Sequence, residues 1–266
     1  MTELRFYGER PAGIEGETLP GKLIVIEATD RTGRSTQVAL LKEWLEDEGF
    51  AVLDTGLTRS DLAGPGIQRA KKGNTLDQTT LNLFYAADFW DRFERLIIPG
   101  LRAGMVVISD RYVFSLIARA AVRGVSVSWM EDLYGFALIP DLVVYLDIDV
   151  EQLLPRIIGS TGFDYWESGQ DFLSTPEMFE SFVQYQGLLL DEFRRLAERH
   201  DFTVIDARRA VADIFKELRS HAEAVVSDMD PDLALDRVKL EELEAPSAVA
   251  PTEGAPSHWR IFRRPR

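Results

Sequence analysis

The chain has 266 residues, 45% hydrophobic and 28% charged, with 30 Lys and Arg against 44 Asp and Glu, three His and no Cys. That length supports one sizeable core and a tail, and the missing cysteine excludes disulfides, thiolate metal sites and a cysteine nucleophile. The formal net charge of −14 argues against nucleic-acid binding, which needs a basic face. His200, His221 and His258 show no ligand-like pairing, which disfavours a histidine zinc site or a Ser-His-Asp triad.

Residues 1–20 read as an irregular arm interrupted by Pro11, Gly13, Gly16 and Pro20. With no signal-like apolar core at the start, and no apolar run of about 18 residues anywhere, a cytoplasmic protein without a membrane partner is expected. Residues 22–27 form a continuous β-branched apolar run, the pattern of a strand covered on both faces. A Gly/Thr/Ser turn follows, then a helix over 37–48 with Val38, Leu41, Trp44 and Leu45 at helical spacing. Gly49 ends that helix and a second strand starts at 50–53, which makes 22–54 a βαβ unit. Residues 76–101 read as a helix broken by Pro99 and Gly100, and 105–109 as a third buried strand running into Asp110, Arg111 and Tyr112. Helices follow over 113–122 and about 128–138, a fourth strand over 142–146 and a short helix over 150–158. The polar segment 159–176 has no clear period; a long helix over 177–199, a fifth strand over 202–205 and a last helix over 211–226 complete the domain.

Five strand–helix alternations predict an α/β fold with a five-stranded, mostly parallel sheet, helices on both faces and right-handed crossovers. Ligands of such sheets sit beyond the carboxyl ends of the strands, which gathers 28–36, 110–112 and the region after Asp147 around one cleft. From 227 to 266 an acidic linker leads into a basic, aromatic end, Trp259 to Arg266, and the whole stretch is expected to be disordered. That end is either a solvated tail or a docking peptide for an acidic surface.

The residues between the first strand and its helix are Ala28, Thr29, Asp30, Arg31, Thr32, Gly33, Arg34, Ser35 and Thr36. A phosphate-binding loop belongs at that place, where backbone N–H groups and a helix N-terminus favour an anion. Against the pattern G-x-x-x-x-G-K-[ST], Gly33 and Ser35 match, Ala28 replaces the first glycine and Arg34 replaces the lysine. Arg34 keeps the charge but presents a planar fork, and Ala28 requires a negative φ at its position. Ser35 is placed to hold Mg²⁺. Arg31, on the loop crown, is either a solvated arginine or a guanidinium that stabilises charge on a transferring phosphoryl group.

Four ordered stretches carry a family resemblance: 26–37; Leu83 to Asp88; Val107 to Tyr112; and Pro140 to Asp147 with Arg156 and then 204–207. In order and spacing they are similar to the EGxDxxGKSTQ loop, the LLFAADR helix, the DR[YH] strand end and the later strands of thymidylate kinases. The resemblance covers about residues 22–207. It implies a three-layer P-loop NTPase fold over 21–226 with a lid at about 159–176, and transfer of the ATP γ-phosphate to dTMP with Mg²⁺.

Carried over by position, Arg31, Arg34 and Asp30 form the catalytic set, and Asp30 helps fix the metal or the acceptor phosphate. Arg111 binds that phosphate, oriented by Asp110, which joins Ser35 on the metal. Tyr85 stacks on the base and Arg156 approaches ATP. The lid has no Arg or Lys, which matches the subtype whose catalytic arginine lies in the loop. The departures fall on the acceptor side: Phe89 stands where the family has Arg, with Arg92 on the same helical face as a substitute. Leu116 stands where a polar reader of the thymine edge is usual, and Arg119 where Tyr is typical. A kinase for another nucleoside or nucleotide, and a non-catalytic nucleotide-binding module, therefore remain alternatives. The 76–101 helix is a candidate homodimer face.

Overall fold

The computed structural model describes residues 5–12, 14, 19–73, 76–159, 162–175 and 177–231. Its centre is a five-stranded sheet built from β1 (Lys22–Glu27), β2 (Val52–Gly56), β3 (Val106–Asp110), β4 (Leu142–Asp147) and β5 (Thr203–Asp206). The strand order is β2-β3-β1-β4-β5 and every pairing is parallel, with Lys22 opposite Val106 and Ile24 opposite Leu142. The expected α/β fold is thus observed, and the sheet is parallel throughout.

Side chains alternate across a strand, so β1 feeds two cores. Leu23 and Val25 join the cluster containing Phe89, Phe93, Tyr112, Phe114 and Phe193, whereas Ile24 and Ile26 join Val38, Leu41, Leu45 and Leu218. Helices α1 (Arg34–Asp47) and α9 (Val211–Val226) cover the second face. The first is covered by α3 (Gln78–Arg92), α5 (Val113–Val122) and α8 (Met178–Arg199). The loops leaving β1 and β3 are neighbours in the sheet but lead to helices on opposite faces, which opens a crevice at their ends.

Several boundaries differ from the sequence expectation for physical reasons. A helix, α2 (Gly64–Gly73), begins with Gly64, Pro65 and Gly66, in a stretch to which the sequence reading assigns no element. Those residues occupy its first turn, where a missing N–H costs nothing. Pro99 and Gly100 do not break the long helix. It passes through a π-turn at Phe93–Ile97 and continues as α4 (Ile98–Ala103), with Pro99 in the first turn, and ends at Gly104 in the left-handed region. A Cβ on Gly100 would meet Val107 Cγ2 at 3.1 Å, so this glycine permits close packing on β3. The helix expected over 128–138 is the shorter α6 (Val127–Leu133), capped by Ser126. The described part of the arm is docked: Phe6 bridges Leu138, and Tyr7 N–H donates to Ala137 at 3.1 Å. After α9, Asp228 pairs with Lys22 at 3.1 Å; residues 232–266, which include the basic end, lie outside the described residues. The last regular element before the lid segment is α7 (Val150–Ile158).

Phe89 is fully buried against Phe93, Tyr112, Tyr134 and Phe136. Phe89→Ala is expected to lower unfolding free energy by about 3–5 kcal/mol in urea titration, with the m-value unchanged.

Candidate active site

The loop after β1 is braced from within and from outside. Thr32 Oγ1 lies 3.0 Å from Thr29 Oγ1 and donates to the Thr29 carbonyl at the same distance. Arg156, from α7, donates to the Thr32 carbonyl at 2.6 Å and to the Ala207 carbonyl at 2.9 Å, so it clamps the loop to the end of β5. The left-handed positions of the loop fall on Arg31 (φ 65°) and Gly33 (φ 101°), and Ala28 is not among the positive-φ residues. The substitution of the first glycine is therefore accommodated without strain, while Arg31 carries it; such residues cluster at functional sites. Gly33 caps α1 without a side-chain bond, and Ser35 and Thr36 are exposed beside it. That leaves the first turn of α1 without a side-chain cap, the helix end that favours an anion. Arg34 folds back over the loop, its Nε donating to Asp110 and its Nη1 to the Ala28 carbonyl at 3.2 Å.

Across the crevice, the buried Arg111 also takes a left-handed conformation (φ 74°). It donates to Asp30, to the Ala28 carbonyl and to Ser115 Oγ, the last two at 3.0 Å. Arg119 reaches the other Asp30 oxygen at 2.6 Å. A cavity of about 160 Å³ opens here, walled by Arg34, Arg59, Lys71, Arg111 and Arg119 against the two carboxylates Asp30 and Asp110, with Tyr85 at one side. The cationic excess and the loop beside it suit a phosphate on each side. Burial alone would raise the Asp30 pKa, but Arg111, Arg119 and Arg34 hold its carboxyl well below the usual carboxylate range. Burial, reinforced by repulsion from Arg34, pushes Arg111 down to about 10 against the pull of Asp30.

Residues 162–175, in the stretch expected to form a lid, reach over this cleft. Glu167 accepts from Arg31 Nε at 3.3 Å, and Trp166 donates its indole N–H to the Lys71 carbonyl at 2.9 Å. Asp171 takes a two-pronged ion pair from Arg123 (2.7 and 2.9 Å), which also donates to Tyr185. With Trp166 seated, the recess beside Tyr85 holds about 30 Å³, less than any base requires.

Among the described residues no group of three or more His, Asp or Glu side chains is arranged to hold a metal. The exposed Ser35 hydroxyl and the Asp110 carboxylate, which pairs with Arg34 and Arg59, are hard oxygen donors of the kind Mg²⁺ takes, an ion that binds few protein ligands beside phosphates and water.

The family model described as "Thymidylate kinase" matches residues 26–218. The chain belongs to the thymidylate kinase family. Its relatives include a probable thymidylate kinase 2 of Saccharolobus solfataricus, 37% identical over 75% of this chain and 94% of that protein. A probable thymidylate kinase of Thermococcus gammatolerans is 32% identical over 74% and 94%. The thymidylate kinase of Clavibacter michiganensis is 33% identical over 79% and 98%. Among the described residues no helix is long and apolar enough to cross a membrane.

Of the residues singled out from sequence, the thymidylate kinase loop 28–36, Arg156, Tyr85, Asp110, Arg111 and Arg119 converge on this one cleft. Arg92 does not: it is buried behind the cleft, paired with Asp88 at 3.0 Å and lying over the Phe89 ring. The spacing placed it on the right face, but that face is turned into the core. Sequence reasoning passed over Glu27, Lys71, Arg123 and Glu167. Glu27, the last residue of β1, was readable as an acid closing an apolar strand, an unusual place for a charge. The other three carry no local signal.

Because its folded pKa is depressed, Asp30 contributes stability in full above its unfolded value of 3.8 and loses it as pH falls. Asp30→Asn is expected to destabilise by on the order of 2–3 kcal/mol at pH 7, since it strands two paired arginines. In denaturation at a series of pH values, the gap to wild type should narrow below about pH 4.

Proposed function

We propose that this chain transfers the γ-phosphoryl group of ATP to dTMP, giving dTDP and ADP. The observation that carries the proposal is the meeting of a phosphate loop with an arginine-walled cavity at the ends of adjacent strands, in a chain of the thymidylate kinase family. Residues 28–36 with Arg156 hold the triphosphate, and Arg111, supported by Asp30 and Arg119, holds the acceptor phosphate. Ser35 and Asp110 would hold Mg²⁺ together with the phosphates, and the ion would supply charge neutralisation. Arg34 and Arg31 flank the transfer path. Arg31 is the arginine offered to the transferring group, since the lid contributes none. Phosphoryl transfer depends on positioning and charge more than on a strong base, so a cleft without histidine suffices.

A second acceptor reading rests on one observation: Phe89 and Leu116, at the positions where the family pattern is polar, are both buried and apolar. The exposed Leu83, Phe84 and Trp90 along α3 support a second copy of this chain as the partner of that helix. The reaction is placed in the cytoplasm.

A coupled ADP-release assay over a panel of nucleosides and monophosphates should give the highest kcat/KM with dTMP; a clear preference for another acceptor would reject dTMP. Arg31→Ala is expected to cut kcat about 10³-fold or more, with ATP affinity by calorimetry changed less than about threefold. A loss below tenfold would remove Arg31 from the reaction path.

A further inference from the structure

The arginine-walled cavity continues inward, past Tyr85 and Arg119, into the recess that Trp166 covers. Its apolar walls are Leu81, Leu116 and Ala120, so a flat ring lying against Tyr85 would find hydrocarbon around it and hydrogen-bond groups only at certain edges. Most of the polar lining is already engaged. Gln78 donates to Asp171 at 3.0 Å, and Arg123 is bound to Asp171 and Tyr185.

Two donors differ. The side chain of Asn82 is 95% buried, being 5% exposed, and its Nδ2 has no hydrogen-bond partner. Nε of Arg119 is likewise buried without one, although the far end of the same guanidinium holds Asp30. A buried donor left unpaired is costly, and native structures keep few of them. Two in the lining of one recess, next to a phosphate-sized cationic cavity, mark a place where an acceptor atom arrives from outside the chain. Asn82 lies three residues before Tyr85 on α3, so the two side chains share one helical face. A ring stacked on the tyrosine presents its edge to the amide.

We infer that Asn82 is a specificity-determining residue. Its Nδ2 donates to the C4 carbonyl oxygen of the acceptor base, and Arg119 Nε is the second donor of the recess. The recess therefore selects a pyrimidine with a keto group at C4 over one with an amino group there. This inference rests on the nucleotide-acceptor reading above and adds to it a residue that chooses the base. It also offers a polar reader in place of the one that Phe89 and Leu116 cannot provide.

The test is the ratio of kcat/KM for dTMP to that for dCMP, with ATP fixed and saturating, in wild type, Asn82→Asp and Asn82→Thr. Aspartate keeps the shape but replaces the donor by an acceptor. It should lower kcat/KM for dTMP at least about tenfold, chiefly through KM, and shrink the dTMP to dCMP ratio by a similar factor. The KM for ATP should stay within about twofold. Threonine, which keeps a hydroxyl donor, should recover part of the ratio. Partial unfolding lowers both activities together and leaves the ratio untouched, so the ratio separates specificity from stability. Should Asn82→Asp fail to fold, Asn82→Leu, which removes the donor without adding charge, is read the same way. A ratio unchanged in the donor-lacking variants overturns the inference while leaving the kinase reading intact. A wild-type enzyme with no turnover of dTMP overturns both.

Discussion

The site depends on one buried carboxylate. Glu27 ends the central strand with no exposed surface, and its oxygens accept from the Tyr112 and Ser115 backbone N–H groups at 2.8 and 3.1 Å and from the Ser115 hydroxyl. It thereby caps α5 from a different strand, at the helix end where negative charge is favoured. Burial raises its pKa, opposed by Ser115, Arg111 and the Tyr112 N–H. Since Arg111 also bonds Ser115 and the Ala28 carbonyl, the ends of β1 and β3 are joined by a polar knot whose members are nearly all paired. The loop after β1 and Arg111 cannot shift independently.

Above that knot, the site manages like charges crowded together. Arg34, Arg111 and Arg119 all act on one carboxylate, Asp30, and without it their mutual repulsion would push them apart. Arg31 is held separately by Glu167 of the lid. Each guanidinium thus has an internal carboxylate partner that a phosphate oxygen can relieve, so the cleft is cationic yet stable before any nucleotide enters. The left-handed backbone at Arg31 and Arg111 is held in place by these same bonds.

Much of this was legible from sequence because periodicity and turn chemistry are local. The β-branched runs marked the strands, and the Gly33-Arg34-Ser35 step after a buried strand marked the loop. What stayed hidden was set by the fold. The helix α2 goes unassigned in the sequence because Gly64, Pro65 and Gly66 open it. Pro99 reads as a stop, yet the π-turn before it carries the helix through. Arg92 had the right spacing, but only the packing of α3 reveals that its guanidinium lies on Phe89 inside the core. Lys71 and Arg123 look like ordinary solvated charges on amphipathic helices; only the seating of the lid brings them to the cleft. Glu27 acquires its role from the strand beside it, which no window of sequence contains.

On the proposed reading, the seated indole of Trp166 competes for the very space the acceptor base fills. Its ring packs on the cluster of Ala63, Ile67 and Leu81, and lifting it re-exposes apolar surface worth roughly 1–2 kcal/mol for a partly buried tryptophan. Every incoming base works against that amount, which weakens its apparent affinity by about 5- to 30-fold relative to an open recess. The handicap is the same for all bases. Molecules that gain little inside the recess are turned away by it, while one that satisfies the recess overcomes it and, in displacing the ring, also disturbs the segment that carries Glu167.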